Sequence, residues 1–186
     1  MVKTLSSMIP LGTIAPDFKL LDPGSGEYQS LAELRGPLAT VIMFICNHCP
    51  FVKHITSELV LLANDYQARG VSFVAINSND VETYPDDSPE NMVLEAATNG
   101  YPFPYLFDET QQVAKAYHAV CTPDFFVFDA DLSCVYRGQL DDSRPGNDIA
   151  VSGSDVRAAL NAVMTGNSVS ESQKPSVGCN IKWKNS

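Results

Sequence analysis

The sequence predicts an α/β protein with a central mixed β-sheet flanked by helices and a C-terminal extension. Two near-continuous apolar runs, Leu38 to Ile45 and Val71 to Ile76, have the β-branched composition of strands buried on both faces. Between them Phe51, Ile55, Leu59, Leu62 and Tyr66 recur at three- or four-residue spacing up to Gly70, the mark of an amphipathic helix with a glycine stop. A strand, helix, strand order of this length requires a right-handed crossover and a parallel pair. Farther on, Phe125 to Phe128 and Cys134 to Tyr136 flank Asp129-Ala130-Asp131, the signal of a hairpin.

The remaining elements follow in chain order. Ala15 to Leu20 reads as a short strand closed by the turn residues Asp22-Pro23-Gly24. Ser30 with Glu33 is a capping-box pattern for a short helical turn ending near Gly36. Asp80 to Pro89 is a polar loop, and Ser88 or Pro89 opens a helix toward Gly100. Pro104 to Phe107 reads as a short strand and Glu109 to Tyr117 as a helix. Ser154 to Met164 is an amphipathic helix through Val156, Ala159, Leu160 and Val163. The Ser-rich stretch Asn167 to Gln173 reads as a linker, after which Val177, Cys179, Ile181 and Trp183 alternate with polar residues as one apolar face of a strand. The expected organisation is one domain over residues 1–166 and a linker with a C-terminal strap over 167–186.

Composition narrows the function. A chain of 186 residues, 45% apolar and 18% charged, can bury a real core as one globular domain. Its net charge of −10 argues against nucleic acid and anionic membranes as partners, because both need basic surface. No stretch approaches the roughly 18 apolar residues of a membrane span, and Met1 to Pro10 lacks the apolar block of a signal peptide. The acidic residues from Asp80 to Glu109, uninterrupted by any basic one, read as a solvated face. Five cysteines, unevenly spread, do not resemble a secreted disulfide framework. The expectation is a cytoplasmic, reducing location, where a close cysteine pair is catalytic or metal-binding.

Cys46-Asn47-His48-Cys49 stands where the buried strand gives way to the helix. A spacing of three puts both cysteines on one helix face, about 5–6 Å apart at Cβ, which is near disulfide reach. The N–H groups and dipole of the helix start favour a thiolate, assigned here to Cys46. The thiolate is the species that attacks a disulfide or peroxide, and Cys49 can then resolve the mixed disulfide. His48, as imidazolium, would add to the stabilisation. The pair also reads as half a zinc site, but a second close Cys or His pair does not follow in the sequence. A third reading is an inert pair filling the helix start. No metal and no cofactor are assigned. Cys121 and Cys179 are candidate additional redox thiols, with burial as small hydrophobes the bland alternative. Thr122-Pro123 directly precedes a strand, where proline interrupts no ladder.

Strand, Cys-x-x-Cys, helix, strand and a later Thr-Pro before a hairpin resembles the thioredoxin superfamily. Gly12-Thr13-Ile14-Ala15-Pro16-Asp17-Phe18, with Ser30-Leu31 and Leu34-Arg35-Gly36, resembles its AhpC/TSA branch of peroxiredoxins and related reductases. The tail from Lys174 to Trp183 resembles a peroxiredoxin-like subgroup that keeps a Cys-x-x-Cys. The resemblance implies a thioredoxin fold, Cys46 as attacking thiol, Cys49 as resolving thiol and a cis Pro123 beside them. It also implies a Thr122 backbone left open to pair with an extended substrate. Two positions depart from thioredoxins: Ile45 stands where Trp is usual, and Thr40 where a buried Asp is common. The proton acceptor for Cys49 is therefore unnamed. Peroxiredoxins resemble Pro-x-x-x-Thr-x-x-Cys, a pattern in which Cys49 would be the peroxidatic residue, with Cys46 replacing Thr and Ile42 replacing Pro.

The activity expected is a thiol:disulfide oxidoreductase acting on a disulfide-containing protein or small molecule, regenerated by an unknown thiol reductant. The alternatives are a thiol peroxidase with antioxidant activity and a copper- or zinc-binding module using Cys46, Cys49 and His48.

Overall fold

The computed structural model describes residues 3–185. The first two positions of the expected 1–166 unit and the last of the strap lie outside the described residues. In chain order the elements are β1 (Lys3–Leu5), β2 (Lys19–Asp22), β3 (Glu27–Ser30), α1 (Leu31–Leu34), β4 (Ala39–Phe44), α2 (Pro50–Gln67), β5 (Val71–Asn77) and α3 (Pro89–Asn99). Then follow β6 (Tyr105–Phe107), α4 (Gln112–Ala116), β7 (Cys121–Thr122), β8 (Asp124–Asp129), β9 (Cys134–Gly138), α5 (Ser154–Met164) and β10 (Val177–Asn180).

The expected central mixed sheet flanked by helices is present, with seven strands in the order β3-β2-β6-β5-β4-β8-β9. The apolar run of β4 is fully buried because it lies mid-sheet, parallel to β5 and antiparallel to β8. Side chains alternate across it. Val41 and Met43 face a core shared with Leu59 and Leu62 of α2 and Leu160 of α5. Ile42 and Phe44 face a second core with Tyr117, Phe126 and Phe128. Fully burying such a side chain is worth about 1.5–3 kcal/mol, so both faces of this strand anchor the sheet.

Two of the expected elements start later than expected, and β1, β3 and β7 have no counterpart among the expected elements. The strand expected at Ala15–Leu20 lies later, at β2, and runs up to a turn built by Asp22: its carboxylate accepts from Gly24 N at 2.9 Å, and its carbonyl from Gly26 N at 2.8 Å. That turn joins β2 to β3 as a hairpin. The α4 helix starts at Gln112 rather than Glu109 because Gln111 adopts a left-handed backbone (φ 62°). The Ser30–Glu33 capping box is formed in full.

A second, three-stranded sheet joins the two ends of the described chain, in the order β1-β10-β7. Its central strand is the strap. Cys179 is paired with Lys3 on one side and with Thr122 on the other.

Candidate dithiol site

The helix after β4 begins at Pro50, and Cys49 is its N-cap. The helix mouth therefore acts on Cys49, and Cys46 lies three residues upstream in the connecting loop. This corrects the expectation that Cys46 receives the helix N–H groups: Pro50 is tolerated in the first turn and sets where the helix starts. Cys49 Sγ lies 3.2 Å from the Thr122 carbonyl oxygen and 3.0 Å from Cys179 Sγ. Cys46 Sγ lies 3.3 Å from the Thr122 hydroxyl. The Thr122–Pro123 peptide is cis.

Hydrogen bonding between the two sulfurs is the main influence on both. It holds the Cys46 thiol well above its ordinary range, an effect reinforced by burial and by the charges of Asp87 and Cys49. The same bond lowers Cys49, which overcomes its own burial with help from the Cys179 thiol and the Val52 and Cys179 backbones.

Asp87, unanticipated as a site residue, organises the loop. It is fully buried, and its carboxylate accepts from Asn47 N at 2.8 Å, His48 N at 3.2 Å, Asn79 Nδ2 at 2.7 Å and His48 Nδ1 at 2.6 Å. Burial opposes its ionisation, but the His48 and Asn79 side chains outweigh that and hold it below the usual carboxylate range. Asp80 and Asp108 are buried too, so the acidic run is not uniformly a solvated face. His48 also stacks on Tyr84 at 5.5 Å, and Lys182 Nζ sits 5.6 Å from the centre of the same tyrosine ring. A cleft of about 270 Å³ lined by Asn47, His48, Lys53, Asp86, Asn91 and Glu95 opens beside this loop.

Cys46 and Cys49 are only 2% and 0% exposed. The expected open Thr122 edge is filled by β10, whose docking buries the sulfurs from that side. Exchange with an outside partner therefore requires local opening of the strap or of the loop around Tyr84. Of the other thiols, Cys179 is brought to the site. Cys121 points to the Pro123 carbonyl at 4.0 Å, where burial pushes its thiol up. Cys134 lies in the opposite core, raised by burial to about 11.

Cys46, His48 and Asp87 offer ligand atoms within 4.8 Å of one another. Both oxygens of Asp87 and Nδ1 of His48 are already engaged, and three donors fall one short of a closed tetrahedral zinc site. The arrangement fits thiol chemistry better than a resident cation.

Similar structures share this architecture. An uncharacterised conserved protein from Geobacillus kaustophilus is 63% identical, with a TM-score of 0.99 over 100% of this chain and 98% of its own. A hypothetical protein from Sinorhizobium meliloti is 49% identical, with a TM-score of 0.96 over 98% of this chain and 100% of its own. The thioredoxin domain of a thiol-disulfide oxidoreductase from Bacteroides vulgatus, 17% identical, matches with a TM-score of 0.62 over 73% and 92% of the two chains, which shows the thioredoxin fold. No curated protein sequence matches significantly. The model of the AhpC/TSA family matches residues 11–137, from the Gly12-Thr13 opening through β9, and the chain belongs to that family.

Proposed function

We propose that the protein is a thiol:disulfide oxidoreductase in which Cys46 and Cys49 pass between dithiol and disulfide. The observation that carries this reading is that both sulfurs converge on Thr122 at the mouth of α2, Cys46 Sγ 3.3 Å from its hydroxyl and Cys49 Sγ 3.2 Å from its carbonyl oxygen, beside the cis Thr122–Pro123 bond. Cys46 is followed by Asn47, which lines the cleft, and its sulfur meets the Thr122 hydroxyl, whereas the Cys49 sulfur is held by both the Thr122 carbonyl and the Cys179 sulfur. Cys46 is thus the sulfur that meets a partner. Its proton passes to Cys49 as it attacks one sulfur of the partner disulfide, and the other sulfur leaves as a thiolate. Cys49 then attacks Cys46, releasing the second partner thiol and closing the Cys46–Cys49 bond. His48, fixed by Asp87 and Tyr84, holds the loop that presents Cys46.

Reduction of insulin disulfides in the presence of a dithiol regenerant tests this. Wild type is expected to turn over. Cys46→Ser should lose essentially all activity, and Cys49→Ser should accumulate a mixed disulfide on Cys46. Equal turnover by wild type and Cys46→Ser would refute the assignment.

Membership of the AhpC/TSA family and the place of Cys49 at the helix N-cap, where its thiol is lowered, favour a second reading, a thiol peroxidase with Cys49 as the attacking sulfur. Peroxide consumption abolished by Cys49→Ser, in a protein that leaves insulin intact, would select it.

A further inference from the structure

The strap occupies the place of an extended partner. Its β10 pairs with β7 so that Cys179 lies opposite Thr122 and Asn180 opposite Cys121. The chain continues with Ile181 N donating to the Val120 carbonyl at 2.9 Å and Lys182 N to Asn79 Oδ1 at 2.8 Å. Gly178 permits the approach: a Cβ there would stand 2.0 Å from the Thr122 carbonyl oxygen. Docked in this way, the strap delivers Cys179 Sγ to 3.0 Å from Cys49 Sγ. A disulfide of about 2.05 Å requires a further approach of only about 1 Å.

We infer that Cys179 is a third redox thiol, which exchanges with the Cys46–Cys49 bond of the oxidised protein and tethers the strap over Thr122. This rests on the dithiol being a redox couple. In the step, the Cys179 sulfur attacks Cys49, the Cys46–Cys49 bond breaks as the Cys49–Cys179 bond forms, and the proton leaving Cys179 ends on Cys46. No electrons are gained or lost overall, so no oxidant is needed beyond the partner disulfide that oxidised the dithiol. The product has a Cys46 thiol and a strap bonded to the site, with the Thr122 edge closed to partners until a thiol reductant cuts the new bond. Cys179 thus behaves as an internal substrate, held where a partner's cysteine would be.

Peptide mapping distinguishes the two bonds. Cys46 and Cys49 share the tryptic peptide between Arg35 and Lys53, whereas Cys179 lies on the one ending at Lys182. A Cys46–Cys49 disulfide is therefore internal to one peptide, and a Cys49–Cys179 disulfide joins two. After oxidation with glutathione disulfide and acid quenching, Cys46→Ser should show the joined pair as its main oxidised product. Wild type should show it beside the internal disulfide. Cys179→Ser should lose it completely, and Cys46→Ser/Cys179→Ser should keep glutathione on Cys49. Absence of the joined pair from wild type, while wild type forms the internal disulfide, overturns the role of Cys179 whatever Cys46→Ser shows, and leaves the dithiol reading intact. Wild type forming neither bond overturns both. If Cys46→Ser fails to fold, the wild-type map decides alone.

Discussion

A carboxylate that accepts four hydrogen bonds inside a protein cannot be exchanged for its amide without cost. In Asp87→Asn the new NH₂ would face backbone and side-chain donors, leaving groups unsatisfied at about 1–3 kcal/mol. The variant also removes a negative charge that raises the Cys46 thiol. Alkylation of Cys46 by iodoacetamide is expected to rise on the order of tenfold at neutral pH, with the midpoint of its pH profile moved to lower pH. The midpoint is the decisive readout. Simple loosening of the loop speeds alkylation at every pH and leaves the midpoint in place, and that outcome would remove Asp87 from the electrostatics of the site.

At the scale of elements, the strap is the piece whose position decides access. Gly178→Ala forces β10 away from Thr122, and overpacking of this kind costs roughly 1–3 kcal/mol. Each 1.4 kcal/mol is about tenfold in an equilibrium constant. Alkylation of the dithiol in Gly178→Ala should therefore be roughly tenfold faster or more, with little change in circular dichroism. Unchanged alkylation would mean that the site opens through the Tyr84 loop instead. Most elements around the strap were legible in the sequence: β4 and β5 from their apolar runs, α2 and α5 from helical spacing, the β8–β9 hairpin from its turn. The alternation of Val177, Cys179 and Ile181 revealed a strand but not the edge it joins, because strand pairing across more than fifty residues leaves no local mark. Trp183 was expected on the same face, yet it is 38% exposed and Lys182 is buried. The strand ends at Asn180, so the period of two does not reach Trp183. Asp87 was illegible for a related reason: a buried acid and a solvated one have the same neighbours in sequence.

For the whole molecule, two buried carboxylates pull stability in opposite directions with pH. Asp87 ionises more readily folded than unfolded. Its contribution is fully present above the unfolded value of about 3.9 and is lost as pH falls through the lower folded value. Asp124, at the start of β8, is also fully buried, and desolvation raises it well above that range against the Phe125 N–H. Its folded form keeps the proton, so its contribution is present below the unfolded value and is lost as pH rises through the higher folded one. The two residues therefore act on opposite limbs of the pH profile, Asp87 on the acid side and Asp124 on the side of rising pH. Asp124→Asn keeps the shape and removes the charge. Urea unfolding from pH 3 to pH 8 should show it more stable than wild type at neutral pH, by about 1–3 kcal/mol, and close to wild type near pH 3. Asp87→Asn should do the reverse, losing most at neutral pH and converging with wild type in acid. Parallel profiles for wild type and Asp124→Asn would show that Asp124 is already ionised in the fold, and the neutral-side decline would then need another source.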